Sequence, residues 1–267
     1  MNSVVTHSLR SRFDRDGHVS GVDLLTPAAA LTHRHAMEAA EARIGPLHYR
    51  AKIHTIALSP LQLATQPEVL DVVEQIIGPD ILLYNVTYIV KEPGAPSHVS
   101  WHQDLTYWGL SHDDGQVSMW LALSPTTEEA GCMRMIPGSH RWGEADHVAT
   151  NDPTNVLLQG QMVRNVDESL AVPCPLAPGQ ASFHHGWTLH ASGPNRSTDR
   201  RIGLNVQYLA PHVRQTKHNA DTAVLVRGQD RFRYFGVDIV AQSDLDPAAI
   251  ERQERLDATY REIAGRA

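Results

Sequence analysis

DILLYNVTYIVKEPG (80–94) is where the chain changes character. It is dense in β-branched and aromatic residues and closes on a Pro-Gly turn, so it reads as a strand. The residues before it read as helix. Thr26 is a candidate N-cap, Pro27 opens the helix, and an Ala-rich run continues to Arg43 before Gly45-Pro46. A second helix is expected from about Pro67 to Ile77. There Val69, Leu70, Val73, Ile76 and Ile77 fall on one face, and Gly78-Pro79 stops the run. Beyond residue 94 the chain reads as short strands: VSMWLAL (117–123), CMRMIPG (132–138), QASFHHG (180–186) and RIGLNVQYL (201–209). Polar turns such as GAPS, TTEEAG, APGQ and GPNRS separate them. Residues 143–169 read as a long irregular loop over a site, and the tail from Asp246 as a charged surface helix. Helices first and many short strands afterwards predict a mainly β fold with flanking helices, a β-sandwich or jelly roll. Without a repeat or an obvious linker, 1–267 reads as a single domain.

The bulk composition excludes several classes. A net charge of -7 disfavours a nucleic-acid binder, which needs a basic surface. The two cysteines, Cys132 and Cys174, form neither a disulfide framework nor a zinc pattern. No stretch is apolar enough to span a bilayer, and the first residues lack a signal-peptide core. A cytoplasmic enzyme with a small-molecule substrate is the expectation, with no nucleic-acid or membrane partner. GxGxxG, Walker A and GxSxG are all absent.

Chemistry concentrates at WHQDLTYW (101–108). In extended chain His102 and Asp104 share a face and could share one ion. A ferrous site of the 2-His-1-carboxylate kind needs one more histidine, brought in by the fold. FHHGWTLHASGPNRSTDRRIGLNVQYL (183–209) offers His184, His185 and His190. It also offers Arg200 and Arg201 as a bidentate cation for a 2-oxo acid. These arginines have opposite parity, so only one can point inward.

Taken together these segments resemble the phytanoyl-CoA dioxygenase family of Fe(II)/2-oxoglutarate oxygenases, related to the ectoine hydroxylases. The resemblance runs from FDRDG near the start to the strand ending at Tyr208. The family's H-x-D matches His102-Gln103-Asp104. Its distal H-x-S-x-x-N, with an Arg eleven residues after the His, matches His190, Ser192, Asn195 and Arg201. GPDILLYNVTYIVKEPG (78–94) and GCMRMIPGSHRWG (131–143) are similar as well.

The resemblance implies a double-stranded β-helix, the cupin-like jelly roll. It implies Fe(II) on His102, Asp104 and His190, and 2-oxoglutarate anchored by Arg201 and contacted by Ser192, Asn85 and Trp120. Trp108 matches a substrate-facing aromatic, and Thr106 and Tyr107 beside it are further substrate candidates. Arg134 is a candidate for an acidic substrate group, its alternative being an ordinary surface cation. Related halogenases replace the carboxylate with a small residue, whereas Asp104 implies an oxygenase. The implied reaction consumes O2, hydroxylates a small metabolite and releases succinate and CO2. Desaturation, epimerisation or cyclisation on the same cofactors, and a non-catalytic metal-binding jelly roll, are the alternatives.

Overall fold

A computed structural model describes residues 2–111, 114–150, 152–157 and 160–265. The N-terminal half is α1 (Asn2–Asp16), β1 (His18–Asp23), α2 (Pro27–Ile44), α3 (Leu58–Thr65), α4 (Pro67–Ile77), β2 (Ile81–Lys91), β3 (Val99–His102), α5 (Leu105–Trp108) and β4 (Gln116–Ala122). Then come β5 (Met133–Met135), β6 (His147–Ala149), β7 (Gln161–Val163), β8 (Val172–Cys174), β9 (Gln180–His184), β10 (His190–Ser192), β11 (Arg201–Leu209), β12 (Thr222–Arg227), β13 (Gly236–Val237) and α6 (Pro247–Ala264).

A seven-stranded sheet, ordered β1-β9-β4-β11-β2-β12-β13, faces a four-stranded sheet, β3-β10-β5-β8. Pairing is antiparallel except between β12 and β13. This is the expected jelly roll with flanking helices.

The two faces of the large sheet differ in chemistry. Along β11, Ile202, Leu204, Val206 and Tyr208 join a core with Val86, Tyr88, Met119, Leu121 and Phe183, and with Met37, Leu63, Val69 and Val73 of the helices. Arg201, Asn205 and Gln207 have the other parity and line a cleft. Strands β2 and β4 are buried along their whole length because both faces are covered. Helix α4 shows why the helical layer holds. Pro67 starts it, Gly78 ends it with a positive φ of 94°, and Val69, Leu70, Val73 and Ile76 are buried against the sheet. Each such side chain contributes roughly 1.5–3 kcal/mol on burial.

The region 143–169 departs from expectation. It contains the β6–β7 hairpin, with His147 paired to Val163, and a short 3-10 turn at Glu168–Leu170. Three-residue strands are too short for periodicity to reveal. Strand β3 also stops at His102, so Asp104 is not an extended residue. It precedes the one-turn helix α5 with φ -60° and ψ -42°.

Candidate active site

His102 ends β3 and His190 begins β10, and the ladder sets them directly opposite each other. Their ring centroids are 4.1 Å apart. The turn into α5 swings Asp104 between them. Asp104 Oδ1 lies 3.4 Å from His102 Nε2 and 3.7 Å from His190 Nε2. One ligand atom from each residue falls within 4.8 Å of the others.

Each imidazole is aimed by its other nitrogen. His102 Nδ1 is 2.9 Å from the Ser100 carbonyl, and His190 Nδ1 is 2.9 Å from the Thr188 carbonyl. A carbonyl can only accept, so Nδ1 carries the proton in both rings and Nε2 keeps a lone pair for a metal. Burial depresses the basicity of His190, and the neighbouring His102 adds to that. Burial acts to raise the Asp104 carboxyl, but His190, His102 and His184 outweigh it and hold the group well below the usual carboxylate range. Two imidazoles presenting Nε2 and one carboxylate presenting Oδ1 make a donor set suited to divalent iron.

His184 was expected only as a rival third ligand. It lies on β9, and its Nε2 sits 3.2 Å from Asp104 Oδ2, while Ser118 Oγ donates to that same oxygen at 3.1 Å. These contacts occupy Oδ2 and leave Oδ1 to the His102–His190 side. His185 has the opposite parity and faces His140 and Asp114.

Register orders the inner face of the large sheet into rungs. Arg201 is opposite Lys91, and Gly203 is opposite Ile89 and Ala122. Asn205 is opposite Thr87 and Trp120, and Gln207 is opposite Asn85 and Ser118. Ser118 therefore ties the carboxylate to the Gln207 rung, and Arg201 stands at the other end of the row. Arg201 is 1% exposed, yet its Nε and Nη1 have no partner among the described residues. Its guanidinium leans along the sheet to lie 4.6 Å from the centre of the Trp120 ring. Burial lowers its pKa to about 10, which still leaves it charged at neutral pH. A buried cation with unused donors calls for an anion. Arg200 points outward and pairs with Glu41 and Glu92.

These groups share one cleft, which encloses about 960 Å³ with its open mouth included. Asn85, Trp120, Ser192, Tyr107 and Trp108 all line it. Asn85 Oδ1 accepts from the Lys52 backbone N–H at 2.7 Å. The Tyr107 hydroxyl and Gln207 Oε1 are buried without partners.

Two expected residues are elsewhere. Thr106 Oγ1 turns towards Glu144 and His147, 3.5 Å from each. Arg134 stacks on Trp101 and pairs with Glu168 at 2.7 Å, and its neighbour Met133 faces the cleft in its place. Strand alternation sends the two side chains to opposite faces.

Among the lining residues that escaped the sequence reading are Tyr260, Arg261 and Ala264 of α6. The helix is not simply a solvated surface element. Ala249, Gln253, Leu256, Tyr260 and Ile263 recur at helical spacing and carry a stripe that the charges between them obscure. Gln253 is wholly buried and bonds the Ala51 carbonyl, and Asp257 accepts from the Ala51 N–H at 2.7 Å. These bonds fix α6 against the segment that carries Tyr49. Tyr49 also lines the cleft, from a left-handed backbone with φ 55°.

A jelly roll with this ligand face beside a buried arginine defines the class of non-haem iron, 2-oxoglutarate-dependent oxygenases. The pattern of the family described as Phytanoyl-CoA dioxygenase (PhyH) matches residues 13–203, and the chain belongs to that family. A probable alpha-ketoglutarate-dependent hypophosphite dioxygenase of Stutzerimonas stutzeri is 32% identical over 151 residues, 55% of this chain and 52% of the relative. A 1-deoxypentalenic acid 11-beta-hydroxylase of Streptomyces arenae is 31% identical over 150 residues, 51% of each. The chain thus spans about half the length of the curated relatives it matches. A solved non-heme monooxygenase, ThoJ in its apo form, superposes with a TM-score of 0.83 at 31% identity, covering 96% of both chains.

Among the described residues no helix is long and apolar enough to cross a membrane.

Proposed function

We propose that this protein is an Fe(II)/2-oxoglutarate-dependent dioxygenase that hydroxylates a small metabolite, acting through one oxygenase domain over 1–267. The observation that carries this reading is the pairing of two features in one cleft: the convergent His102, Asp104 and His190, and the Arg201 Nε and Nη1, which have no partner among the described residues. A structural ion pair accounts for the first alone. It leaves the buried, unused donors of the second without an anion.

His102, Asp104 and His190 hold the iron, and Arg201 binds the far carboxylate of 2-oxoglutarate, with Ser192, Asn85 and Trp120 beside it. When bound, the metal and 2-oxoglutarate supply the oxidising power for hydroxylation by O2, with release of succinate and CO2. The chain's own part is to position and to exclude water. His184 and Ser118 hold the carboxylate in one orientation. Tyr107, Trp108, Leu157, Tyr260 and Ala264 wall the substrate side, where the free Tyr107 hydroxyl and Gln207 carbonyl offer a donor and an acceptor. The mostly apolar wall suits a small metabolite with one or two polar groups.

The test is anaerobic. Fe(II) and 2-oxoglutarate added to the wild-type protein should give the weak visible charge-transfer band of a chelated keto acid. His102→Ala should abolish the band, and Arg201→Ala should demand far more 2-oxoglutarate. A folded wild type without the band would defeat the proposal. Product mass and ¹⁸O incorporation from O2 then separate hydroxylation from desaturation, epimerisation or cyclisation.

A further inference from the structure

A second pocket lies behind the large sheet, on the face of β2 turned away from the cleft. It encloses about 520 Å³ with its open mouth included. Its origin is in the sequence of α2. Ala36, Ala39 and Ala40 recur at helical spacing and line it, where longer side chains would fill the space over Leu47 and Tyr88.

Tyr88 is 1% exposed, and its hydroxyl has no hydrogen-bond partner among the described residues. Tyr208, in the same layer, is satisfied: its hydroxyl donates to the Ala64 carbonyl at 2.8 Å. Ser59 stands near the Tyr88 hydroxyl and partly offsets the rise that burial imposes on the phenol. Yet Ser59 Oγ is engaged by His33 Nδ1 at 2.8 Å. A buried O–H without an acceptor is costly, and an oxygen brought in by a ligand would remove that cost. Arg43 and Asp244 are exposed at the mouth with opposite charges, so the entrance favours no ion. Apart from Ser59 the rest of the lining is apolar.

We propose that this pocket is a second binding site, for a small neutral molecule with a compact apolar body and a carbonyl oxygen, a ketone or an ester, that accepts from Tyr88. A mostly apolar hollow with one placed donor suits that chemistry. The occupant would rest against the segment that reaches the cleft. Leu47 lines this pocket, Tyr49 lines the cleft, and the Tyr49 N–H donates to the Tyr88 carbonyl at 2.9 Å. The site shares no residue with the iron and 2-oxoglutarate contacts, so it is tested without them.

The experiment titrates the full chain, labelled with ¹³C at its methionine methyls, with acetophenone. Ethylbenzene, which has a similar outline and no oxygen, is the second probe. Met37 lines this pocket and Met133 lines the cleft, so their NMR signals report the two places separately. In the wild type both probes should shift Met37. Tyr88→Phe should weaken acetophenone about fivefold at Met37, the scale of one neutral hydrogen bond, and leave ethylbenzene unchanged. Ala40→Phe, which fills the pocket, should abolish the Met37 response. If Ala40→Phe does not fold, Ala36→Phe at the exposed rim takes its place. Without ligand, Tyr88→Phe should melt no lower than wild type, since it removes a donor that the protein leaves unused. A wild type in which neither probe shifts Met37, or in which only Met133 responds, overturns the proposal. So does an acetophenone Kd that Tyr88→Phe leaves unchanged, or a Met37 response that persists in the filled variant. A Tyr88→Phe protein that melts lower than wild type overturns it as well, because the hydroxyl would then be bonded within the chain.

Discussion

The guanidinium of Arg201 lies 4.6 Å from the centre of the Trp120 ring, and Gly203 makes that approach possible. A Cβ on Gly203 would come within 1.9 Å of the indole. The glycine lets the ring lie flat on β11, and the ring in turn supports the cation by cation–π attraction. Each end of this stack can be tested by a substitution.

Arg201→Met should raise the melting temperature of the metal-free protein while abolishing its stabilisation by 2-oxoglutarate. The methionine has similar reach, and it relieves a buried charge that no anion among the described residues pairs. Such exchanges are worth roughly 1–4 kcal/mol, and the lost ligand shift follows from mass action. Melts with and without Fe(II) and 2-oxoglutarate, under nitrogen, would read both. A variant that melts lower and still gains from 2-oxoglutarate would contradict this role for the arginine.

Gly203→Ala should displace Trp120 and cost about 1–3 kcal/mol through overpacking. The 2-oxoglutarate Kd should rise with it, although the alanine touches no ligand. Urea unfolding and the anaerobic titration measure the two effects. Wild-type affinity in this variant would mean that the stack has no part in binding.

His184→Gln should weaken Fe(II) binding by about 10–100-fold, the usual effect of losing a residue that orients a ligand. His102→Ala should abolish binding altogether. Calorimetric titration with Fe(II) separates the two. Equal loss in both would make His184 a ligand instead of a support for Asp104.

A second buried charge cluster gives a pH dependence remote from the metal site. Lys52 Nζ lies 3.2 Å from Asp238 Oδ2, with His54 3.6 Å from the same oxygen. Burial works to raise Asp238, but Lys52 and His54 prevail and hold it well below the usual carboxylate range. A depressed folded value contributes stability that is complete above the unfolded value of about 3.9 and lost as pH falls towards the folded one. Wild-type urea midpoints should therefore drop more steeply below about pH 4 than those of Asp238→Asn. At neutral pH that variant should lose roughly 3–5 kcal/mol, because Lys52 is left buried without its anion. Parallel acid limbs for the two proteins would remove Asp238 from the explanation.

Much of this fold was legible wherever an element was long enough to show its period. Helix α4 and strand β11 are examples: RIGLNVQYL alternates between helix-facing apolar residues and a cleft-facing Arg, Gly, Asn and Gln. For the same reason Arg201 turns inward and Arg200 outward, as strand parity requires of one of the two. What stayed hidden depends on tertiary pairing. Strands β3 and β10 have four and three residues, too few for any pattern. Strand β1 acquires its meaning only from β9, far along the chain. Nothing in FHHGW says which histidine turns inward; the pairing of His184 with Ser118 decides it. In the site, Arg134 failed because a three-residue strand gave no hint of its facing, and α6 was missed because its charges outnumber its stripe.

Helix α6 divides the molecule's inheritance in two. Every proposed iron and 2-oxoglutarate contact lies inside the stretch 13–203 shared with the family, whereas Asn205, Gln207, Tyr260, Arg261 and Ala264 of the cleft wall lie beyond it. The reactive machinery thus sits wholly within the stretch that defines the family, while the wall that faces the substrate is assembled from both sides of its boundary.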